Sequence, residues 1–144
     1  MVSFFFEDAD FDKSFLTGVD SWLLDIAKRE GQTIASLIYI FCSDHYLLSI
    51  NQQYLQHDYY TDIITFDQRD DLAEPIEGDI FISVDRVYEN ASIHRQSFQQ
   101  ELLRVVAHGI LHLLGFDDIN DELKLQMRCL EDKYLHLFNS TENW

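Results

Sequence analysis

His108 and His112 stand four residues apart in the run Ala107-His108-Gly109-Ile110-Leu111-His112-Leu113-Leu114-Gly115-Phe116-Asp117-Asp118. On a helix that spacing projects both imidazoles from one face, one turn apart. Gly115 follows three residues later, where helices commonly end on a residue at positive φ. A chain that turns back there brings Asp117 or Asp118 towards the imidazoles. Two helical histidines and one ligand beyond a turn make a three-ligand zinc site with a fourth position open to water. That is the pattern of catalytic rather than structural zinc. Blander roles exist for the same residues. A histidine pair at this spacing arises by chance on many helices, and an aspartate just before a helical run can be its N-cap.

The helix that must carry the pair runs from about Phe98 to Leu114 and is apolar almost all round, so it is expected to be buried. Its polar residues, Glu101, Arg104, His108 and His112, recur every three or four positions and form a single stripe. A polar stripe on a buried helix needs partners, and a cleft or a metal supplies them.

The remaining elements follow from periodicity and punctuation. Ser3 to Phe6 reads as a strand, and Asp12 can cap a helix bearing Phe15, Val19, Trp22, Leu23, Ile26 and Ala27, ended by Gly31. Ile34 to Cys42 is β-branched, aromatic and nearly continuous, as in a strand covered on both faces. Ser43 caps a helix with Leu47, Ile50, Asn51 and Tyr54; Asp62 to Phe66 and Asp79 to Ser83 are two further strands. The polar, acidic stretch 67–78 between them reads as an exposed hairpin-like loop whose default role is solubility. Asp85 can cap a helix with Val87, Tyr88 and Ala91 inside. After the histidine helix comes a last one striped by Leu123, Met127, Leu130, Tyr134 and Leu137, with His136 on its surface. The expected fold is α+β, a single domain over residues 1–144, in which a small mixed four-stranded sheet packs against about five helices.

Three blocks of this sequence, in order and in register, resemble the YbeY family of single-domain, metal-dependent endoribonucleases. The histidine run resembles the family's H-G-x-L-H-L-x-G-[YF]-D-H signature. Asn51-Gln52-Gln53-Tyr54, then Asp58 and Thr61-Asp62-Ile63-Ile64-Thr65-Phe66, resembles its N-x-x-[YF]-R-x-x-D-x-P-T-D-V-L-S-F segment. Gly78-Asp79-Ile80-Phe81-Ile82-Ser83 resembles its G-D-I-x-I-S strand. The resemblance covers most of the chain from about residue 45 to 130. It implies one zinc ion per chain on His108, His112 and Asp118, the last standing where the family has a third histidine. Carboxylate oxygen is an accepted zinc ligand. It also implies a zinc-dependent, single-strand-specific endoribonuclease of rRNA maturation, at the 3′ end of the small-subunit rRNA, and of ribosome quality control. The implied partners are rRNA, the small ribosomal subunit, and ribosomal proteins or a ribosome-assembly GTPase.

The chain departs from the family pattern elsewhere. The arginine that follows N-x-x-[YF] is Leu55, its lysine-like position is His57, and its prolines are Tyr60 and Asp67. The nearest candidate by sequence to replace that arginine is Arg104, one turn before His108. No residue is assigned as general base. Two competing functions follow. One is a non-catalytic ribosome-biogenesis binding factor with a structural metal, favoured by Leu55 and by the acidic composition. The other is a metalloprotease-like hydrolase, disfavoured because that class places glutamate directly after the first histidine, where this chain has Gly109.

Composition bounds these expectations. Ten Lys and Arg against 26 Asp and Glu give a net charge of −16, which opposes the counterion release that usually drives nucleic-acid binding. The motif is local and the charge is an average, so the motif decides. No apolar run approaches the ~20 residues that span a bilayer, and the N-terminus lacks the basic region of a signal peptide. A cytoplasmic protein is expected. Cys42 and Cys129 are expected as two buried reduced thiols, not as a disulfide.

Overall fold

The computed structural model of the chain describes residues 1–57 and 60–140. Four strands, β1 (Val2–Phe6), β2 (Ile34–Cys42), β3 (Ile63–Asp67) and β4 (Ile76–Ser83), form one sheet in the order β1-β2-β4-β3. β1, β2 and β4 are parallel and β3 runs antiparallel to β4. The helices are α1 (Val19–Arg29), α2 (Asp44–Leu55), α3 (Val84–Ile93), α4 (Phe98–Leu113) and α5 (Asp121–Ser140), with a 3₁₀ turn at Lys13–Leu16. The α+β class, the mixed sheet and the five helices are those expected from the sequence.

Alternation along the strands assigns the two faces of the sheet. Leu37, Tyr39, Phe41, Ile80 and Ile82 point into the main core with α1, α4 and α5. Cys42, Ile64, Phe66 and Phe81 point the other way, where Leu47, Tyr46 and Ile50 of α2 cover them. α4 therefore lies on one face of the sheet and α2 on the opposite one. Two buried hydrogen bonds tie the core layers together. The Tyr39 hydroxyl donates to the Val106 carbonyl of α4 at 2.7 Å, and the Trp22 indole donates to the Tyr134 carbonyl of α5 at 2.9 Å. Each satisfies a polar atom that burial would otherwise leave costly.

α4 approaches the sheet at Gly109. A Cβ there would lie 2.9 Å from Ile80 Cδ1 and 3.2 Å from Ile63 Cδ1, so only glycine permits the contact.

Several local expectations are corrected. Asp12 caps only the 3₁₀ turn, accepting from the Ser14 amide; α1 starts later, after Gly18 at φ 78°, so Phe15 is not on it. α3 is capped by Ser83, whose hydroxyl accepts from Arg86, while Asp85 accepts from the Asp44 amide and so serves α2. β4 begins at Ile76, three residues before the expected start. Ile76 and Gly78 are buried while Glu77 faces out, and that alternation was hidden in an acidic stretch. Cys42 is buried but Cys129 is exposed, because it follows Met127 round onto the outer side of α5. His136 is exposed as expected. Among the described residues no helix is long and apolar enough to cross a membrane.

Candidate metal centre

The polar stripe of α4 lies about a quarter turn round the helix from Gly109, and the two histidines meet there. His108 Nε2 and His112 Nε2 lie 2.9 Å apart. The helix ends by a local rule. Gly115 takes φ 105°, its amide donates to the His112 carbonyl, and the Phe116 amide donates to the Leu111 carbonyl. This pair of bonds is the Schellman closure of a helix C-terminus. Two side chains from elsewhere take the next carbonyls: Arg69 donates to Leu113 and Gln32 to Leu114.

The reversed chain delivers Asp118. One of its oxygens is 3.5 Å from His108 Nε2 and the other 3.7 Å from His112 Nε2. The capping role weighed for Asp118 falls to Asn120 instead, whose side chain accepts from the Leu123 amide. Asp117 turns its carboxylate to the Asp118 amide at 2.7 Å. Of the two adjacent aspartates, Asp118 is thus the one that faces the imidazoles. His108, His112 and Asp118 each offer one ligand atom, all within 4.8 Å of one another.

These donors fit zinc. Bonds of about 2.0–2.1 Å in a tetrahedron put neighbouring donors roughly 3.3 Å apart; the two Nε2 atoms are 2.9 Å apart and each has an Asp118 oxygen, a different one for each ring, at 3.5 or 3.7 Å. A carboxylate behind the first histidine adds to the fit. Glu131 of α5, only 5% exposed, takes the Nδ1 proton of His108 at 2.7 Å. That leaves Nε2 with its lone pair towards His112 and Asp118, the orientation a metal ligand needs. The ring of His112 stands edge-on to that of His108, at 80°.

Charge polarises the pair. Burial disfavours the protonated His108, but the hydrogen bond and charge of Glu131, aided by Asp118 and Asp62, outweigh it and raise the imidazole above its ordinary value. His112 moves the other way, because burial and its neighbour His108 both disfavour its charge. Asp62, at the entrance to β3, is pushed up by burial, partly offset by His108.

Sequence periodicity missed Glu131, although a signal existed. It stands four residues after buried Met127, so a charged residue interrupts a buried stripe and requires a partner. Arg104, the candidate substitute for the family's arginine, is held by two carboxylates, Glu131 at 2.9 Å and Asp132 at 2.6 Å. It buttresses Glu131. Asn51 is buried, Tyr54 packs edge-on against Phe66, and Leu55 is the last residue of α2. The motif residue Asp58, and Tyr59 beside it, lie outside the described residues. Gly109 faces Ile80 and Ile63, so a protease-type glutamate at that position has no room.

Comparison with known proteins converges on the same three blocks. The chain is 48% identical to "Endoribonuclease YbeY" of Cytophaga hutchinsonii over 136 residues, 94% of each chain. It is 44% identical to the protein of that name from Flavobacterium psychrophilum over 143 residues, 99% of this chain and 100% of the other. Its fold is similar to the solution structure of TM1509 from Thermotoga maritima, with a TM-score of 0.68 and 29% identity over 94% of this chain and 87% of that one. The family profile described as "Endoribonuclease YbeY" matches residues 4–139, and the chain belongs to the YbeY family.

Proposed function

We propose that this protein is a zinc-dependent, single-strand-specific endoribonuclease that binds about one zinc ion per chain on His108, His112 and Asp118. Its substrate would be rRNA, cut in the cytoplasm during maturation of the small-subunit 3′ end and in ribosome quality control. Ribosomal proteins or a ribosome-assembly GTPase would be its protein partners. The observation that carries the reading is the convergence of two Nε2 atoms and one carboxylate on a common point, with Glu131 holding the Nδ1 proton behind His108. The names of the relatives support the same activity.

A zinc ion held by His108, His112 and Asp118 would supply Lewis acidity towards a phosphoryl oxygen and lower the pKa of water. The chain's own contribution is orientation. Glu131 fixes the tautomer of His108, and the Gly115 turn brings Asp118 into reach. With three protein ligands, one position stays open to substrate and water.

The test is metal content by mass spectrometry on untagged protein, beside cleavage of a single-stranded RNA. Wild type should hold about one zinc per chain, with Asp118→Ala holding less and His108→Ala folded but inactive. Folded protein that takes up no metal when zinc is offered would sink the proposal. The second reading, a ribosome-biogenesis binding factor with a structural metal, is favoured by Leu55 at the family's arginine position and by the charge of −16. It requires that His108→Ala leave ribosome association intact and that wild type leave RNA uncut.

A further inference from the structure

Beside the triad, α3, α4 and α5 enclose a polar cleft of about 160 Å³ whose wall includes Asp62, His94, Glu101, Arg104, His108 and Arg128. Its charges can be paired off almost completely. Glu101 holds His94 at 3.0 Å, and Glu131, in the same wall, holds both His108 and Arg104. Asp132 takes the other arm of Arg104. Asp62 and Arg128 remain. Among the described residues no carboxylate lies within ion-pair distance of Arg128 or of Arg95, whereas Arg29, Arg69, Arg86 and Arg104 each have one; of the two, only Arg128 lines this cleft.

The position of Arg128 is also specific. It is three residues before Glu131, so it shares that residue's face of α5 one turn nearer Asp118. Asp118, before the helix, is a member of the triad, and Glu131, one turn after Arg128, bonds its His108. A planar, permanently charged fork beside a metal site, with no internal acceptor, is matched to an oxyanion with paired oxygens. Phosphate is that group in RNA. Leu55 offers no charge at the family's arginine position, and Arg128 is a cation of this cleft without a carboxylate partner.

Building on the endoribonuclease reading above, we propose that Arg128 is a substrate-contacting residue that grips a backbone phosphate of single-stranded RNA laid in the cleft beside His108. The guanidinium orients the strand past the triad.

The experiment is binding of a fluorescently labelled oligouridylate of about twelve nucleotides to zinc-loaded protein, with cleavage followed in parallel. Wild type, Arg128→Ala, Arg128→Lys and Lys28→Ala are compared across about 50 to 200 mM salt. Lys28 lies beside a different depression, with Thr33 and Pro75, and its removal is the equal change in net charge. Arg128 is exposed and alanine is a strong helix former, so the variant should fold; equal zinc content checks that. The expected result is a loss of affinity of roughly tenfold in Arg128→Ala, with the salt slope lower by about one. Arg128→Lys should recover part of it and Lys28→Ala should behave as wild type. Equal affinity in Arg128→Ala and wild type, equal losses in Arg128→Ala and Lys28→Ala, or no binding by wild type overturns the proposal. If wild type binds through Arg128 but leaves the RNA intact, the nuclease reading fails and this one stands. If wild type cuts RNA and Arg128→Ala matches it, the reverse holds.

Discussion

Glu131 supports the proposed metal triad from outside it. Its carboxylate is buried, bonded to His108 on one oxygen and to Arg104 on the other. Glu131→Gln keeps the shape but removes the charge, and it weakens the acceptor that holds the His108 tautomer. Outer partners of this kind typically contribute 10–100-fold to metal affinity, so zinc affinity of the variant, read by competition with a chromophoric chelator, should fall by about that factor. An unchanged affinity would remove Glu131 from the centre. Gly109 makes a prediction of the opposite kind, in which adding one methyl does the damage. Gly109→Ala must push α4 off Ile80 or bend the Ile80 side chain, at a cost of about 1–3 kcal/mol. Thermal or denaturant unfolding reads it. Alanine's better helix propensity, worth about 1 kcal/mol, works against that loss, so a net gain in stability would mean that the close approach is slack. These residues also show what a sequence discloses. The histidine pair is a local pattern on one helix, and spacing alone reveals it. Glu131 is 23 residues from His108, and only the docking of α5 on α4 joins them. Which aspartate faces the site depended on which residue capped α5, and Asn120 took that role through a short Asx contact that no periodicity marks.

At the scale of elements, the end of α4 is held by a loop that sequence composition treated as solvent-facing. Arg69 lies in the β3–β4 connection, among acidic neighbours, yet its side chain is only 1% exposed. It grips Asp67 with two nitrogens at 2.9 and 2.7 Å, reaches Gln32 at 3.1 Å, and donates to the Leu113 carbonyl at the end of α4. The loop is a clamp on the helix terminus from which Gly115 swings Asp118 into place. Arg69→Ala leaves those acceptors without their charged donor. Bonds of that kind contribute about 1.5–3 kcal/mol each before compensation by water, so a loss of about 2–3 kcal/mol in unfolding free energy is expected. Zinc affinity should fall with it, since the Asp118 turn loosens; full stability in the variant would show that the clamp is incidental. The same pair sets a pH response. The hydrogen bonds from Arg69 hold the Asp67 carboxyl below its ordinary value. A depressed folded value contributes stability above the unfolded value, near 3.9, and loses it as pH falls through the folded one. Acid should therefore narrow the stability gap between wild type and Arg69→Ala below about pH 4. Sequence period placed all four strands and five helices, because burial repeats every two or 3.6 residues. It missed the first turn of β4 and the true start of α1. At those points acidic side chains or a glycine in a left-handed conformation carried the geometry.

For the whole molecule, the charge balance turns one variable, ionic strength, in two directions. Even if every one of the ten Lys and Arg residues paired with an acid, sixteen of the 26 acids would stay uncompensated. Their mutual repulsion opposes compaction. Raising ionic strength from about 0.01 to about 0.15 M shortens the Debye length from about 30 to about 8 Å and screens that repulsion. It also screens exposed ion pairs such as Arg29–Asp25, but a surface pair contributes about 0–1 kcal/mol. The exposed pairs of Arg29 and Arg86 cannot outweigh an excess of sixteen acids on one small surface. The metal-loaded protein should therefore melt at higher temperature as salt rises over this range. RNA affinity should move the opposite way, because every phosphate contact, whether at the triad or at Arg128, releases counterions and weakens with salt. The slope of that loss counts the contacts. An acidic surface allows only a few local ones, so log affinity should fall with log salt with a slope of about −1 to −3, far shallower than for a protein with a broad basic face. A steep slope would mean that RNA spreads over a surface whose charge repels it. A melting temperature that falls with salt would mean that ion pairs, not net charge, govern this fold.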